Sequence, residues 1–183
     1  MKRPLFSSTL ALPAEVSRTR RLFFYPGSSI GNFHPDEALA FLRRMREAGG
    51  DLLIGVDLVK EHAVLDAAYD DALGVTASFN LNLLNHLNRL LGADFNLREW
   101  RHRGFFNAQE SRVEMHLEAR RDTVVRWTGG VRRFGEGERI HTENSYKYTP
   151  DNFAGLLRNA GYEPAHTWTD ERDWFMVCHA CRS

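Results

Sequence analysis

The sequence predicts an α/β fold, a parallel doubly wound sheet interrupted by an antiparallel insertion. Two short apolar runs, RLFFY (21–25) and DLLIGVDLV (51–59), flank one amphipathic helical stretch. That β-turn-α-β order with short connections is what parallel sheets require. From Trp100 onward the apolar period changes to two, the mark of strands with unlike faces. TPDNFAGLLRNAGY then returns to a helix before AHTWTD and DWFMVCHAC close the chain as two strands.

RLFFY suits a strand covered on both faces. It runs into PGSSIGN, where Gly27 and Gly31 tolerate turn angles that other residues avoid. Open α/β sheets also bind ligands just beyond the carboxyl ends of their strands, so this turn has two readings, a plain reversal and a ligand site. Pro35 fits a first helical turn, with Asp36 and Glu37 at the positive helix start. Ala38, Leu39, Phe41, Leu42 and Met45 supply an apolar stripe, and Gly49-Gly50 stops the helix. DLLIGVDLV is the second buried strand, with Asp57 near the end where open sheets keep functional residues.

Residues 60–74 are predicted helical to Gly74. A second helix spans 75–92, with Phe79, Leu83, Leu87 and Leu90 on its apolar side and Gly92 as its stop. Its asparagines, Asn80, Asn82, Asn85 and Asn88, are poor helix formers in number; a solvated face is the favoured reading, with a bond from one or two of them to another group as the alternative. In SRVEMHLEA, Val113, Met115, Leu117 and Ala119 alternate with Arg112, Glu114, His116 and Glu118. TVVRW, VRRF and ERIHTENSYKY follow across glycine turns, completing an antiparallel meander. Thr149 caps the last helix, with Pro150 at its first position.

At 183 residues the chain fits one domain, or one domain carrying a subdomain. Its 24 basic and 24 acidic residues cancel, which gives no electrostatic reason to expect nucleic acid or an anionic membrane. The runs Arg18, Arg20, Arg21 and Arg101, Arg103 are read as solvated charge. No stretch approaches transmembrane length. The leader-like MKRPLFSSTLALPA has a short apolar core broken by Ser7, Ser8 and Thr9, which argues against export and for a cytoplasmic protein. Cys178 and Cys181 form a C-H-A-C pair, half of a structural zinc site. An offset of three on a strand puts the thiols on opposite faces, so the expectation is two reduced cysteines and no metal.

Five blocks in order, FYPGSSIGNF, DLVKEHAVLDAAYDDALGVTASFNLNLLNHLNRLLGADF, RVEMHL, FGEGERIHTENSYKY and AGYEPAHTWTDERDWF, carry a resemblance from about Arg21 to the end. The chain resembles the histidine-specific, S-adenosylmethionine-dependent methyltransferases, which trimethylate the α-amine of L-histidine to hercynine in ergothioneine biosynthesis. The resemblance implies the C-terminal half of a class I Rossmann-like methyltransferase sheet with an inserted α+β substrate-binding subdomain. The expected division is 1–59 as partial core, 60–147 as the insertion and 148–183 as the closing helix and strands.

The resemblance also implies the site. Gly27 and Asn32 hold the histidine α-amine near the methyl donor, with Asn32 as the catalytic candidate and Gly27 and Ser28 touching the donor. Tyr69 contacts the substrate carboxylate. Glu143 and Ser145 bind the imidazole, and their spacing of two on a strand points both to one face. Met115 matches a position beside the ring, but its strand alternation also makes it core, and core packing at a pocket edge is the favoured reading. Taken singly, Tyr69 reads as a half-buried packing residue, Glu143 as a surface carboxylate and Asn32 as a helix cap.

The resemblance places the glycine-rich donor loop and its acidic partner before residue 1, with Phe6 as a remnant of an Asp-Phe pair near the adenine. The expectation is a fragment of a longer enzyme, the product of a truncated gene, or a subunit completed by a missing N-terminal half. Three activities follow: histidine α-amine methylation, an inactive imidazole-binding module, and methylation of another amino acid. Each takes a small-molecule substrate and needs neither nucleic acid nor membrane.

Overall fold

The structure is a computed structural model that describes residues 10, 12–16 and 19–182. The leader-like residues 1–9, Phe6 and Arg18 lie outside the described residues. In chain order the elements are β1 (Leu22–Tyr25), α1 (Pro35–Ala48), β2 (Asp51–Asp57), α2 (His62–Tyr69), α3 (Val75–Leu91), β3 (Trp100–Asn107) and β4 (Arg112–Ala119). There follow β5 (Thr123–Trp127), β6 (Gly130–Phe134), β7 (Arg139–Tyr146), α4 (Pro150–Asn159), β8 (Tyr162–Thr169) and β9 (Phe175–Arg182). The chain divides into two compact units, residues 1–59 with 146–183, and residues 60–145.

The first unit carries a four-stranded sheet in the order β1-β2-β9-β8. β1 pairs with β2 in parallel, while β9 runs antiparallel to both β2 and β8. One face of this sheet meets α1 and α4. Leu52, Ile54 and Val56 of β2 and Met176, Cys178 and Ala180 of β9 join Ala38, Leu42, Phe153 and Leu157 in one apolar core. The expectation that β1 is covered on both faces fails. Phe23 and Tyr25 pack on the core, but Leu22 and Phe24 point away from it and are 51% and 68% exposed. Arg21 is also not simply solvated. Its guanidinium donates to the carbonyls of Ala48 and Gly49 at the end of α1, where a cation opposes the negative end of the helix dipole.

The second unit departs further from expectation. The strands do not form one meander: β3, β4 and β7 make a three-stranded sheet, and β5-β6 is a separate hairpin. The first helix stops at Tyr69 rather than Gly74. Asp71 in the following turn accepts hydrogen bonds from the backbone N–H groups of Val75 and Thr76, so the chain gives up helix to cap α3. Those bonds hold the Asp71 carboxyl at about 2.

The face expected to be apolar on α3 is largely the outer one. Phe79, Leu83 and Leu90 are 63%, 38% and 78% exposed, whereas Asn80 and Leu84 are buried. The asparagines are correspondingly not one solvated face. Asn80 is fully buried, and Asn88 closes the loop after α3 by bonding both the N–H and the carbonyl of Phe95.

Both faces of β4 are buried, including Glu114, His116 and Glu118. Arginines close over the polar side: Arg101 of β3 and Arg139 of β7 bond Glu118, and Arg112 of β4 itself bonds Glu114. Arg101 and Arg103 therefore serve a buried carboxylate instead of standing free in solvent.

Candidate functional site

In the first unit β1 ends at Tyr25, and the chain turns through two left-handed residues, Gly27 at φ +81° and Ser28 at φ +58°. A Cβ built on Gly27 meets no atom within 4 Å, so the backbone borders open space. Residues Ser29–Asn32 form a 3₁₀ turn anchored by buried Ile30. Asn32 ends that turn exposed to solvent. It does not cap the next helix: His34 holds the N-cap position of α1, and its N–H donates to Glu37.

The turn is tied to the end of β2 by the Asp57 N–H, which donates to the Ser28 hydroxyl at 2.8 Å. Lys147, with only 1% of its side chain exposed, pairs with the Asp57 carboxylate at 2.7 Å. Backbone bonds from Tyr148 to Asp57 and from Val59 to Tyr148 lock the same junction. Asp57 was legible as a strand-end residue. Lys147 was not, because a lysine between two tyrosines gives no sign of burial.

In the second unit Tyr69 and Ser145, 76 residues apart, meet directly: the Tyr69 hydroxyl donates to Ser145 Oγ at 2.8 Å. Ser145 is buried, and Tyr69 and Glu143 are half-buried. Met115 is buried on β4, and its carbonyl accepts from the Thr142 hydroxyl one residue before Glu143. Gly27, Ser28 and Asn32 belong to the other unit.

Three residues position Tyr69, and of these sequence reading passed over His102 and Gly104. His102 on β3 donates through Nε2 to the Tyr69 carbonyl at 2.7 Å, and its Nδ1 pairs with the buried Asn80 amide at 2.9 Å. A carbonyl only accepts, so these partners assign the Nε2–H tautomer. Gly104 permits the approach, since a Cβ there would lie 2.6 Å from the Tyr69 oxygen. The asparagine-rich run on α3 was the one sequence signal for this network.

The turn beyond a parallel strand is a place where open α/β sheets bind ligands, and sequence similarity says which class of protein this is. Residues 5–182 match the family described as "Histidine-specific methyltransferase, SAM-dependent". The chain belongs to that family. It is 42% identical over 168 residues to a histidine N-alpha-methyltransferase of Mycolicibacterium smegmatis, covering 89% of this chain and 52% of that protein. It is 32% identical over 166 residues to ergothioneine biosynthesis protein 1 of Neurospora crassa, covering 87% of this chain and 18% of that protein. The chain thus spans about half the length of the bacterial relative. The solved CcbJ methyltransferase of Streptomyces caelestis aligns with 92% of this chain and 64% of its own, at 14% identity and a TM-score of 0.47.

Proposed function

We propose that this chain is all or part of a cytoplasmic N-methyltransferase that acts on the α-amine of L-histidine, giving hercynine for ergothioneine biosynthesis. The observation that carries the reading is the Tyr69–Ser145 hydrogen bond, which joins two residues that the family resemblance separately assigns to the substrate. Glu143 and Ser145 take the imidazole, Met115 lies beside it, and Tyr69 takes the carboxylate. Glu143 suits an imidazole because a carboxylate accepts the ring N–H and favours its charged form.

S-adenosylmethionine, as co-substrate, supplies an electrophilic methyl group on a sulfonium. The residues described here fit only one side of such a donor: the open backbone of Gly27 and the neighbouring Ser28. Asn32 orients the α-amine so that its lone pair meets the methyl carbon in line. The N–C bond would form as the C–S bond breaks, and the ammonium form of the amine gives up one proton before each of the three transfers, because only the deprotonated nitrogen has a lone pair. Alignment of this kind contributes ~7–11 kcal/mol when the reacting atoms are held in near-attack geometry.

Calorimetric titration of the chain with histidine and with dimethylhistidine, with and without the methyl donor, tests the reading. Binding is expected, and Glu143→Ala should weaken histidine far more than tryptophan. Absence of binding under every condition overturns it. Asn32→Ala is the discriminating variant for the turn, since Asn32 is exposed and caps no helix. Normal histidine affinity in that variant would reduce PGSSIGN to a reversal.

Because the chain spans only about half of its bacterial relative, a second reading is an inactive module that binds histidine without methyl transfer. Hercynine formed by the purified chain and donor excludes it.

A further inference from the structure

The C-H-A-C segment finds its partners across a strand. Cys178 points into the apolar core, 1% exposed, and burial pushes its thiol up to about 11. Cys181 lies on the opposite face of β9 and shares that face with His179, two residues away. The antiparallel register pairs Leu52 with Ala180, which sets Asp51 of β2 beside Cys181. One donor atom each from Asp51, His179 and Cys181 lies within 4.8 Å of the others.

We propose that Asp51, His179 and Cys181 form a binding site for a divalent metal ion of the zinc type, with water in the fourth position. Donor atoms around tetrahedral zinc lie about 3.5 Å apart, given zinc–ligand bonds of about 2.0–2.3 Å. Small side-chain rotations close the trio to that spacing. Carboxylate, imidazole and thiolate together select zinc-like ions, whereas magnesium and calcium take oxygen ligands.

The donors have few other commitments. Asp51 accepts one hydrogen bond, from the Arg182 backbone N–H at 3.0 Å. Among the described residues, no hydrogen bond or ion pair engages the side chain of His179 or Cys181, although the His179 ring stacks on His166 of β8. All three donors are partly exposed, and Asp51 also borders a surface hollow. Arg20, Arg21 and Arg182 line the same hollow, so a residual positive charge would be disfavoured. Two anionic ligands cancel the charge of a dication and meet that condition.

A similar trio in the second unit, Glu114, His116 and His141, lacks this freedom. Glu114 Oε1 already takes Arg112 and Asn107, and Oε2 takes His116. An ion in the first trio cross-links β2 to β9.

Titrating the reduced chain with Co²⁺ tests the site. A near-ultraviolet thiolate-to-cobalt charge-transfer band should saturate at a single equivalent and be displaced by Zn²⁺. Zn²⁺ at about a hundredfold excess over its Kd should raise the melting temperature by roughly 5–10 °C. Cys181→Ser should abolish the band, and Asp51→Asn and His179→Ala should each weaken binding about tenfold or more. Cys178→Ser should leave the band in place. If Cys181→Ser fails to fold, the partly exposed His179 gives the same information through His179→Ala. No band, a band that survives Cys181→Ser, or a band seen only in urea-unfolded chain overturns the proposal. The readout is metal binding alone and is independent of methyl transfer.

Discussion

In the unit formed by residues 1–59 and 146–183, the candidate turn rests on an apolar core and presents mainly backbone. Gly27 is open, Ser28 is pinned by the Asp57 N–H, and one buried ion pair marks the strand end. In the unit of residues 60–145, side chains do the holding. Tyr69 is fixed by His102, which is fixed by Asn80, and a layer of arginine–carboxylate pairs covers the back of β4. The difference teaches where substitutions are silent and where they spread. A backbone-presenting turn keeps its stability through exposed changes such as Asn32→Ala, whose expected effect is on histidine affinity, whereas each member of a buried polar chain leaves another member unpaired when removed.

The sharpest break of this contrast lies in the first unit, at the ion pair of Asp57 with buried Lys147. Asp57→Asn removes the anion 2.7 Å from an ammonium whose side chain is 1% exposed. Breaking a buried pair from one side costs about 3–5 kcal/mol. Lys147→Met should cost less, because the Asp57 side chain retains 22% exposure and keeps part of its hydration. Urea unfolding of both variants measures the asymmetry. Equal losses would mean that burial of the lysine does not set the cost.

Next in size is Asn80→Ala in the second unit. It strips a partner from His102 Nδ1 and from the His116 carbonyl. With buried polar groups left unsatisfied at roughly 1–3 kcal/mol each, the loss should be about 2–4 kcal/mol. Asn82→Ala, on the exposed side of the same helix, should stay within about 0.5 kcal/mol. Similar melting of the two variants would break the picture of a side-chain-held unit.

Glu114→Gln should cost about 1.5–3 kcal/mol at neutral pH, the range for hydrogen bonds to a charged group. Burial alone would raise the Glu114 pKa, but bonds from His116, Arg112 and Asn107 outweigh it and hold the carboxyl at about 2. A depressed carboxylate pKa contributes stability above the ordinary value near 4.5, lost as pH falls toward 2. His116 is also lowered from its ordinary 6.5, first by burial and then by the charges of His141 and Arg139. Its contribution falls away as pH drops below 6.5, since the unfolded chain then takes up a proton that the folded one refuses. Stability measured by urea from pH 7 to 3 should therefore fall in two stages, and Glu114→Gln should flatten the lower one.

Local signals made β1, the turn, α1 and β2 legible: apolar runs, Pro35 at a helix start, paired glycines at its end. The same holds for Gly92 after α3 and Thr149, whose hydroxyl accepts from the Asn152 N–H. What could not be read depends on partners distant in sequence. Counting apolar residues on α3 pointed to Phe79 and Leu83, yet the buried stripe contains Asn80, because His102 lies opposite it. Alternation in β4 marked Glu114, His116 and Glu118 as the polar face but could not show arginines of other strands closing over it. Of the candidate site, the residue types were legible through their motifs. Their support by His102, Gly104 and Lys147 was not, since burial leaves no mark on a lone histidine, glycine or lysine.

A smaller stability effect, at Tyr69, separates holding from function. Tyr69→Phe keeps the ring and deletes the hydroxyl that donates to Ser145 Oγ, costing about 0.5–1.5 kcal/mol. The carbonyl of residue 69 still accepts from His102, because that bond uses backbone, so the residue stays in place. If the hydroxyl only braces Ser145, a double-mutant cycle with Ser145→Ala should recover most of that cost as coupling, and histidine affinity should change little. If it also takes the substrate carboxylate, as proposed, affinity should fall further than stability, since a charged acceptor then loses its donor at about 1.5–3 kcal/mol, roughly a 10- to 150-fold rise in Kd. Calorimetric titration of Tyr69→Phe beside its urea melt reads both quantities on one protein. A melt shifted by about 1 kcal/mol with unchanged histidine affinity would leave Tyr69 as a brace and move the carboxylate contact elsewhere.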